Sequence, residues 1–256
     1  GLVKKVGDLL LNPDMGQLYQ DIGNYGVNHF YSGEISQRII LDMQENGGLL
    51  AIEDLQEGTP EEHPPLWGTF FDYKIATNNP PGGGVMLVEM LNILEEFDLK
   101  GMGHNSVEYI KVVSEVMKIA TIDKDTKVGD PKFTVVPTDQ LTSKSYAKAH
   151  AEKIKRGDRA VVNRVNKGNP ESKCTTQLVL ADVSGNCVTM THTLGQPSGV
   201  VTEGLGFMYN GAMTVFDPRP GRPGSLAPGK ARFTAISPTI IFKDDLPYLI
   251  LGAPGA

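Results

Sequence analysis

Apolar residues recur every three or four positions in two segments of the first half of the chain, which is the spacing of one face of an α-helix. The first segment, residues 35–43, follows Ser32-Gly33-Glu34 and stops at Asn46-Gly47-Gly48. The second segment, residues 107–120, follows Ser106, a residue type that often caps helices. The pattern therefore predicts two amphipathic helices.

A strand, a glycine-rich turn and a third helix are predicted between them. Lys74-Ile75-Ala76-Thr77 has the composition of a strand and leads through Asn79-Pro80-Pro81-Gly82-Gly83-Gly84 into an apolar helix at residues 85–97. The backbone N–H groups of such a turn can bind an anion, but the turn matches neither GxxxxGK[ST] nor GxGxxG. A tight entry into the helix is the favoured interpretation.

The second half of the chain changes to β-strand patterns. The stretch at about 156–174 is polar, contains Gly, Pro and Asn and shows no period, so it predicts an exposed linker. Four runs of β-branched and aliphatic residues follow, separated by turn residues, at 175–182, 186–193, 239–243 and 248–252. Helices that precede strands in this way are typical of a layered α+β fold.

Composition and charge exclude several classes of protein. Gly and Pro number 29 and 17 of 256 residues, which indicates many turns and disfavours a long helical bundle. Hydrophobic residues make up 40% of the chain, too many for a disordered protein. The net charge is −6 and the Lys and Arg residues are scattered, so no nucleic-acid partner is expected. No apolar run approaches the ~18 residues of a membrane span, so none is predicted.

The sequence after the linker predicts a β-hairpin. Val183-Ser184-Gly185 has the glycine that a three-residue hairpin loop needs, with Asp182 and Asn186 as its closing pair. Counting an equal number of residues away from this closing pair along each strand brings Thr175 opposite Thr193. Directly opposed residues have Cβ atoms ~4.5–5.5 Å apart, so two threonine hydroxyls at these positions can share a hydrogen bond.

Thr175 has a chemical as well as a structural interpretation. A threonine hydroxyl is a weak nucleophile unless a base removes its proton, and a chain-terminal threonine can use its own α-amine, with a reference pKa of ~7.7–8.0, as that base. Cleavage of the Cys174–Thr175 peptide bond, where the linker meets the strand, would create this arrangement. Taken alone, a Thr-Thr pair is more often an ordinary part of a strand.

Many separate motifs of the chain resemble one enzyme family. In the second half they are Thr175-Thr176-Gln177, the hairpin with Asp182 and Gly185-Asn186, Thr191-His192-Thr193-Leu194, Pro228-Gly229-Lys230, Ser237-Pro238-Thr239-Ile240 and Gly252-Ala253-Pro254-Gly255-Ala256. In the first half they are Phe30-Tyr31-Ser32-Gly33, Gln44-Glu45-Asn46-Gly47-Gly48-Leu49, Glu53-Asp54-Leu55, the Asn79-to-Gly84 turn, Leu91-Asn92-Ile93-Leu94-Glu95 and Gly129-Asp130-Pro131. In order and spacing these motifs are similar to the γ-glutamyltransferase family of N-terminal nucleophile hydrolases, over nearly the whole chain.

The resemblance implies a fold and a mechanism. The fold is a four-layer αββα sandwich of the α+β class, and the protein is a proenzyme that cuts itself between Cys174 and Thr175. Thr175 is then the nucleophile that forms an ester-linked acyl-enzyme, and Thr193 hydrogen-bonds its hydroxyl. The backbone N–H groups of Gly255 and Ala256 correspond to the family's oxyanion hole, and a main-chain donor survives the change from Gly to Ala.

Several positions differ from the family where it binds the γ-glutamyl group. Gly195 replaces an asparagine that touches the donor carboxylate, Val215 replaces the acid that binds the α-amine, and Ala212 replaces a glutamine. A Ser-Ser pair becomes Thr234-Ala235, which keeps one of two hydroxyls. Because an ammonium group is costly to bury without a charged partner, these changes predict weak γ-glutamyl activity and a more apolar or smaller acyl group. Asp217 could replace the missing acid, but a role in a turn is favoured.

Members of the family are longer than this chain, so both of its ends are interpreted as internal to a longer proenzyme. Residues 1–174, with the linker, correspond to the C-terminal part of the large chain, and residues 175–256 to the start of the small chain. The boundary is one of processing, since both segments would contribute to one αββα domain. The remainder of the same proenzyme is therefore the expected partner, and it would carry an arginine that family members use on the donor carboxylate.

The sequence favours an autoprocessing threonine amidohydrolase or acyltransferase that acts on a small-molecule amide or peptide. One alternative is a genuine γ-glutamyltransferase or glutathione hydrolase, and another is an unprocessed, non-catalytic homologue with a binding or structural role. No cofactor is expected. The dispersed His29, His63, His104 and His150, together with the absence of HExxH and CxxC motifs, predict no metal site. A homo-oligomer is possible, and the compartment stays open.

Overall fold

The computed structural model describes residues 4–58, 60–163 and 174–254. The chain divides into a first unit, residues 1–62 and 197–210, and a second unit, residues 63–196 and 211–256. This division does not test the expected processing boundary between residues 174 and 175, which stays a prediction.

The described residues of the first unit form four helices: α1 (Pro13–Tyr25), α2 (Asn28–Tyr31), α3 (Glu34–Glu45) and α4 (Ile52–Glu57). The bounds of α3 confirm the helix predicted after Ser32-Gly33-Glu34. The sequence pattern did not predict α1, which begins where the Asn12 side chain accepts a hydrogen bond from the Met15 amide and proline occupies the first turn. The buried core of the first unit consists of Leu18, Ile35, Ile39 and Leu205.

The second unit contains the remaining helices and all the strands that the described residues form. In chain order they are β1 (Leu66–Phe70), β2 (Tyr73–Thr77), α5 (Gly84–Leu94), α6 (Leu99–Met102), α7 (Val107–Lys127), α8 (Thr138–Leu141), α9 (Lys144–Lys155), β3 (Thr175–Ala181), β4 (Cys187–Thr193), a 3₁₀ turn (Ala212–Val215), β5 (Thr239–Lys243) and β6 (Leu246–Leu251). β1, β2, β5 and β6 form one antiparallel sheet in that order, and β3 pairs with β4 in a second. The mixture of helices and antiparallel sheets confirms the predicted α+β class.

The predicted strands of the second half are confirmed to within two residues at each end. The first half differs more, because α7 extends beyond its predicted end at residue 120, α5 stops before residue 97, and β1 was not predicted at all. Gly68 interrupts the strand pattern of β1, and the structure gives a reason for it. A Cβ atom at Gly68 would lie 2.7 Å from Val88 Cγ1, so glycine lets α5 pack closely on the strand.

The predicted linker lies mostly outside the described residues. Its first part, residues 156–163, forms a turn after α9 and then no helix or strand, while residues 164–173 are not described. Of the helices that the structure describes, not one combines the length and the apolar character that crossing a bilayer requires.

A buried polar network joins α5, α7 and α9. Glu89 is 1% exposed, and burial, followed by its hydrogen bond to Asp123, raises the pKa of Glu89 to about 9. Lys127 Nζ lies 2.7 Å from Asp123 Oδ1, and the Tyr146 hydroxyl donates a 2.6 Å hydrogen bond to Asp123 Oδ2. Burial opposes ionisation of Asp123, but hydrogen bonds from Lys127, Tyr146 and Glu89 lower the pKa of that carboxyl below its usual value. Glu89 is therefore protonated at neutral pH, and Asp123 is ionised.

Glu89→Gln is expected to flatten the pH dependence of folding stability. The pKa of Glu89 is raised from 4.5 to about 9 by folding, so between these pH values the folded state binds more protons than the unfolded state. The stabilisation is full below the unfolded value and is lost as pH rises towards the folded value, by up to about 1.4 kcal/mol per pH unit. Glutamine stays uncharged at every pH. As the pH rises across this range, the urea midpoint of the full-length variant should therefore fall less than that of the wild type.

Glu152→Gln is the matched control, because Glu152 is exposed on α9 and the substitution replaces the same carboxyl group by the same amide. Its urea midpoints should follow those of the wild type. Parallel pH profiles for Glu89→Gln and the wild type would contradict the protonated state of Glu89.

Candidate active site

The β3–β4 hairpin places Thr175 directly opposite Thr193, which confirms the register predicted from the turn. Thr175 Oγ1 donates a 3.0 Å hydrogen bond to Thr193 Oγ1. The turn sets this register through Asp182, whose Oδ1 accepts 2.9 Å hydrogen bonds from the Ser184 and Asn186 amides. Hydrogen bonds from the Asn186 side chain and amide lower the pKa of Asp182, so the carboxylate is in the form that accepts these bonds.

Thr193 also fixes the backbone that follows the hairpin. Its Oγ1 accepts a 3.0 Å hydrogen bond from the Gly195 amide. Gly195 has a φ of +67°, and a Cβ atom there would lie 3.2 Å from the Ala212 Cα. Glycine therefore permits both the left-handed backbone and the close approach of the segment that carries Ala212.

A cavity of about 980 Å³ opens beside the two threonines. The predicted site residues that line it are Thr175, Thr193, Gly195, Val215, Thr234 and Ala235. Ala212 lies behind Gly195 rather than on the cavity wall, and Cys174, which is partly buried, is not a lining residue either. The structure thus brings together residues that are separated in sequence by as many as sixty positions.

The glycine-rich turn before α5 holds one wall of this cavity. The Gly83 amide and Asn78 Nδ2 each donate a 2.9 Å hydrogen bond to the Ile236 carbonyl. The Thr234 amide donates a 2.9 Å hydrogen bond to the Pro81 carbonyl. The amide of Gly84 donates to Asn78 Oδ1, so the N–H groups of the turn bind protein atoms. These contacts agree with a tight helix entry that positions the wall, rather than with an anion site.

A second network connects the hairpin with the end of the described chain. Gln177 Nε2 donates a 2.8 Å hydrogen bond to Thr189 Oγ1, which in turn donates a 3.0 Å hydrogen bond to the Leu251 carbonyl. A Cβ atom at Gly252 would collide with the Gln177 side chain, so glycine at this position lets the Gln177 side chain lie close to the backbone that follows β6. Gly255 and Ala256, the expected oxyanion-hole donors, lie outside the described residues, and their role stays a prediction.

Among the described residues that line the cavity, the charged side chains form two ion pairs and leave one further cation. Arg219 Nη2 lies 2.6 Å from Asp217 Oδ2, and hydrogen bonds from Arg219 lower the pKa of Asp217 to about 2. Asp217 also accepts a 2.9 Å hydrogen bond from the Arg219 amide, which is the turn role that the sequence favoured. Lys124 forms an ion pair with Asp125 near the end of α7.

Arg232 is the further cation, and it is partly buried. Burial lowers the pKa of its guanidinium, although arginine stays charged. Arg232 lies between two motifs that were singled out in the sequence, Pro228-Gly229-Lys230 and Ser237-Pro238-Thr239-Ile240, and this proximity is the only sequence signal for it. Nothing in the sequence links Lys124 and Asp125 to Thr175, because the tertiary fold brings them together.

Metal chemistry finds no support in the geometry of the described residues, since His, Cys, Asp and Glu do not gather there in groups of three that could hold an ion. The expectation that the protein uses no cofactor stays a prediction.

Comparison with known proteins gives consistent results in sequence and structure. A family model described as gamma-glutamyltranspeptidase matches residues 1–256. The glutathione hydrolase proenzyme of Escherichia coli (strain K12) is 34% identical over 267 residues, covering 98% of this chain and 46% of that protein. The acylase ACY 1 proenzyme of Pseudomonas sp. (strain V22) is 34% identical over 253 residues, covering 98% of this chain and 45% of that protein.

Among solved structures, the cephalosporin acylase of Bacillus halodurans superposes with a TM-score of 0.81 and 25% identity, covering 96% of this chain and 44% of that chain. The gamma-glutamyltranspeptidase of Helicobacter pylori superposes with a TM-score of 0.56 and 30% identity, covering 63% of this chain and 49% of that chain. These likenesses confirm the predicted αββα fold of N-terminal nucleophile hydrolases. The chain spans just under half the length of the curated relatives it matches.

Proposed function

Because the chain belongs to the gamma-glutamyltranspeptidase family, we propose that the full-length protein cuts itself before Thr175 and then hydrolyses or transfers the acyl group of a small amide. The observation that carries this proposal is the 3.0 Å hydrogen bond between Thr175 Oγ1 and Thr193 Oγ1 at the wall of the cavity. Because Thr175 Oγ1 is the donor of this bond, both of its lone pairs stay available for a substrate carbonyl.

Maturation in this proposal is an attack of Thr175 on its own chain. Thr175 Oγ1 adds to the carbonyl carbon of Cys174, the C–N bond breaks, and the nitrogen becomes a free α-amine. Water then hydrolyses the resulting ester and releases the carboxyl end of Cys174. The cut removes no hairpin pairing, because Thr175 is the first residue of β3 and stays opposite Thr193.

Turnover uses the same atoms. The new α-amine, with a reference pKa of ~7.7–8.0, takes the hydroxyl proton as Thr175 Oγ1 attacks the substrate amide, and then protonates the departing amine. The amides of Gly255 and Ala256 are proposed to stabilise the tetrahedral oxyanion. Water, or an acceptor amine in the transferase reaction, releases the acyl group from Thr175.

The charges of the cavity support an altered acyl specificity. Val215 lines the cavity where family members carry an acid, and Asp217 is already bound to Arg219. Among the described lining residues, the other carboxylate, Asp125, is bound to Lys124. An ammonium group would therefore enter the cavity without a free carboxylate, which disfavours a γ-glutamyl donor. The remainder of the proenzyme is proposed to complete the site.

The first test is whether the full-length protein is processed. Denaturing electrophoresis is expected to show two polypeptides, with N-terminal sequencing of the smaller one starting at Thr175. A single intact polypeptide without amidase activity would instead support a non-catalytic homologue.

The second test compares acyl groups on p-nitroanilides. The kcat/KM for γ-glutamyl-p-nitroanilide is expected to be at least about tenfold below that for an acyl anilide of equal length without the α-ammonium group. Release of p-nitroaniline measures both. Much faster turnover of the γ-glutamyl compound would support a genuine γ-glutamyltransferase or glutathione hydrolase and would contradict the specificity argument from Val215.

A further inference from the structure

We infer that Arg232 binds a carboxylate of the substrate and so makes an anionic amide the preferred substrate of this cavity. The inference rests on the proposed function, because it assigns a specificity-determining residue to the cavity in which Thr175 is the proposed nucleophile. It adds a cation that neither the sequence motifs nor the proposed chemistry uses.

The first support is the position of Arg232. It lines the same cavity as Thr175 and Thr193, on the segment that continues into Thr234 and Ala235. That segment is fixed by the hydrogen bonds that the Gly83 amide and Asn78 make to the Ile236 carbonyl. Arg232 therefore projects from a part of the wall that the fold holds in place.

The second support is the balance of charge. Lys124 is bound to Asp125, and Arg219 is bound to Asp217 through its Nε and Nη2 atoms. Within the described part of the chain, no carboxylate lies within ion-pair distance of Arg232, whose guanidinium donates one hydrogen bond, of 3.1 Å, to the Phe233 carbonyl. The cavity wall therefore carries one positive charge that the described residues do not balance.

The chemistry of the guanidinium identifies the class of group that would balance it. Arginine has five N–H donors and stays protonated in proteins, so most donors of Arg232 remain for a ligand. A partly buried cation gains from an anion that enters the same cavity, and the planar fork of arginine matches a carboxylate in a bidentate arrangement. Both carboxylates among the described lining residues are already paired with cations, so neither is free for an ammonium group. A substrate with a carboxylate and without an ammonium group fits both features.

The experiment uses two pairs of amides that differ only in one charged group. The first pair places the carboxylate on the acyl side: 4-carboxybutanoyl-p-nitroanilide against pentanoyl-p-nitroanilide. The second pair places it on the amine side: the pentanoyl amides of 4-aminobenzoate and of 4-aminobenzamide. The full-length wild type is compared with Arg232→Gln and with Arg222→Gln, which removes the same charge from an exposed residue outside the cavity lining.

Arg232→Gln is expected to lower kcat/KM for the anionic member of one pair by roughly 10- to 100-fold and for its neutral member by less than about threefold. The pair that responds shows which side of the amide carries the carboxylate. Arg222→Gln should leave both ratios within about twofold of the wild type. Equal effects of Arg232→Gln on anionic and neutral amides in both pairs would overturn the inference.

A binding measurement separates this inference from the proposed function. The cavity described above belongs to the uncut chain, so Thr175→Ala protein should bind the anionic amide of one of the two pairs at least about tenfold more tightly than its neutral partner in calorimetric titration. Adding Arg232→Gln should abolish that difference. Selective binding without any turnover by the wild type would support the role of Arg232 and contradict the proposed function. Turnover without any preference for the anionic amide would support the proposed function and contradict the role of Arg232.

Discussion

Full-length protein with Thr175→Ala is expected to remain one uncut polypeptide and to lose amidase activity by at least about a thousandfold. Alanine removes the hydroxyl that would attack first the Cys174 carbonyl and then the substrate. It also removes the donor of the 3.0 Å hydrogen bond to Thr193. Electrophoresis and release of p-nitroaniline measure the two losses separately.

Thr176→Ala is the matched control, since it removes the same chemical group from the next residue. Thr176 pairs with His192 and its side chain is exposed on the opposite face of the hairpin. This variant should be cut and should turn over substrate at close to the wild-type rate. If Thr175→Ala were still cut, or if Thr176→Ala were not cut, there would be no basis for assigning the nucleophile to Thr175.

Gly83→Ala is expected to destabilise the protein by about 1–3 kcal/mol and to reduce turnover by roughly a hundredfold. A Cβ atom at Gly83 would lie 2.5 Å from the Ala235 carbonyl oxygen and 2.7 Å from its carbon, and neither backbone atom can rotate away. The turn and the cavity wall would have to separate, which would break the 2.9 Å hydrogen bond from the Gly83 amide to the Ile236 carbonyl. Urea denaturation and anilide kinetics report the two effects.

Gly23→Ala provides the comparison for this substitution. Gly23 lies within α1, where an added Cβ would have no atom within 4 Å, so the expected change is a gain of about 0.5–1 kcal/mol from helix propensity. If Gly83→Ala matched the wild type in both urea midpoint and turnover, the turn would not position the wall.

Local chemistry explains which parts of the fold could be predicted. The register of the hairpin was predicted to the residue because it follows from the turn at Asp182 and Asn186, which depends on adjacent residues alone. β1 was missed because its central glycine, Gly68, breaks the strand pattern for a reason that lies in α5. α1 is an exception, because it was missed although Met15, Leu18 and Ile22 recur at helical spacing after the Asn12 cap.

The same distinction holds for the candidate site. The pairing of Thr175 with Thr193 follows from strand register, and the ion pair of Asp217 with Arg219 is local, but the position of that pair and of Arg232 on the cavity wall depends on how distant segments fold around one cavity. Glu89 is a further example, because only the packing of three helices reveals that its carboxyl is buried against Asp123. Sequence patterns predict secondary structure and local pairs, but not the electrostatic balance that tertiary contacts create.

The three-residue turn of the hairpin limits how the chain can change in length. Inserting or deleting one residue between Thr175 and Thr193 would slip the strands by one position and turn every following side chain to the other face. A residue such as His192, whose side chain lies on that other face, would then stand across from Thr175. Replacement of the exposed residues of the hairpin leaves this spacing intact, so the segment tolerates changes of residue type far better than a change in the number of residues.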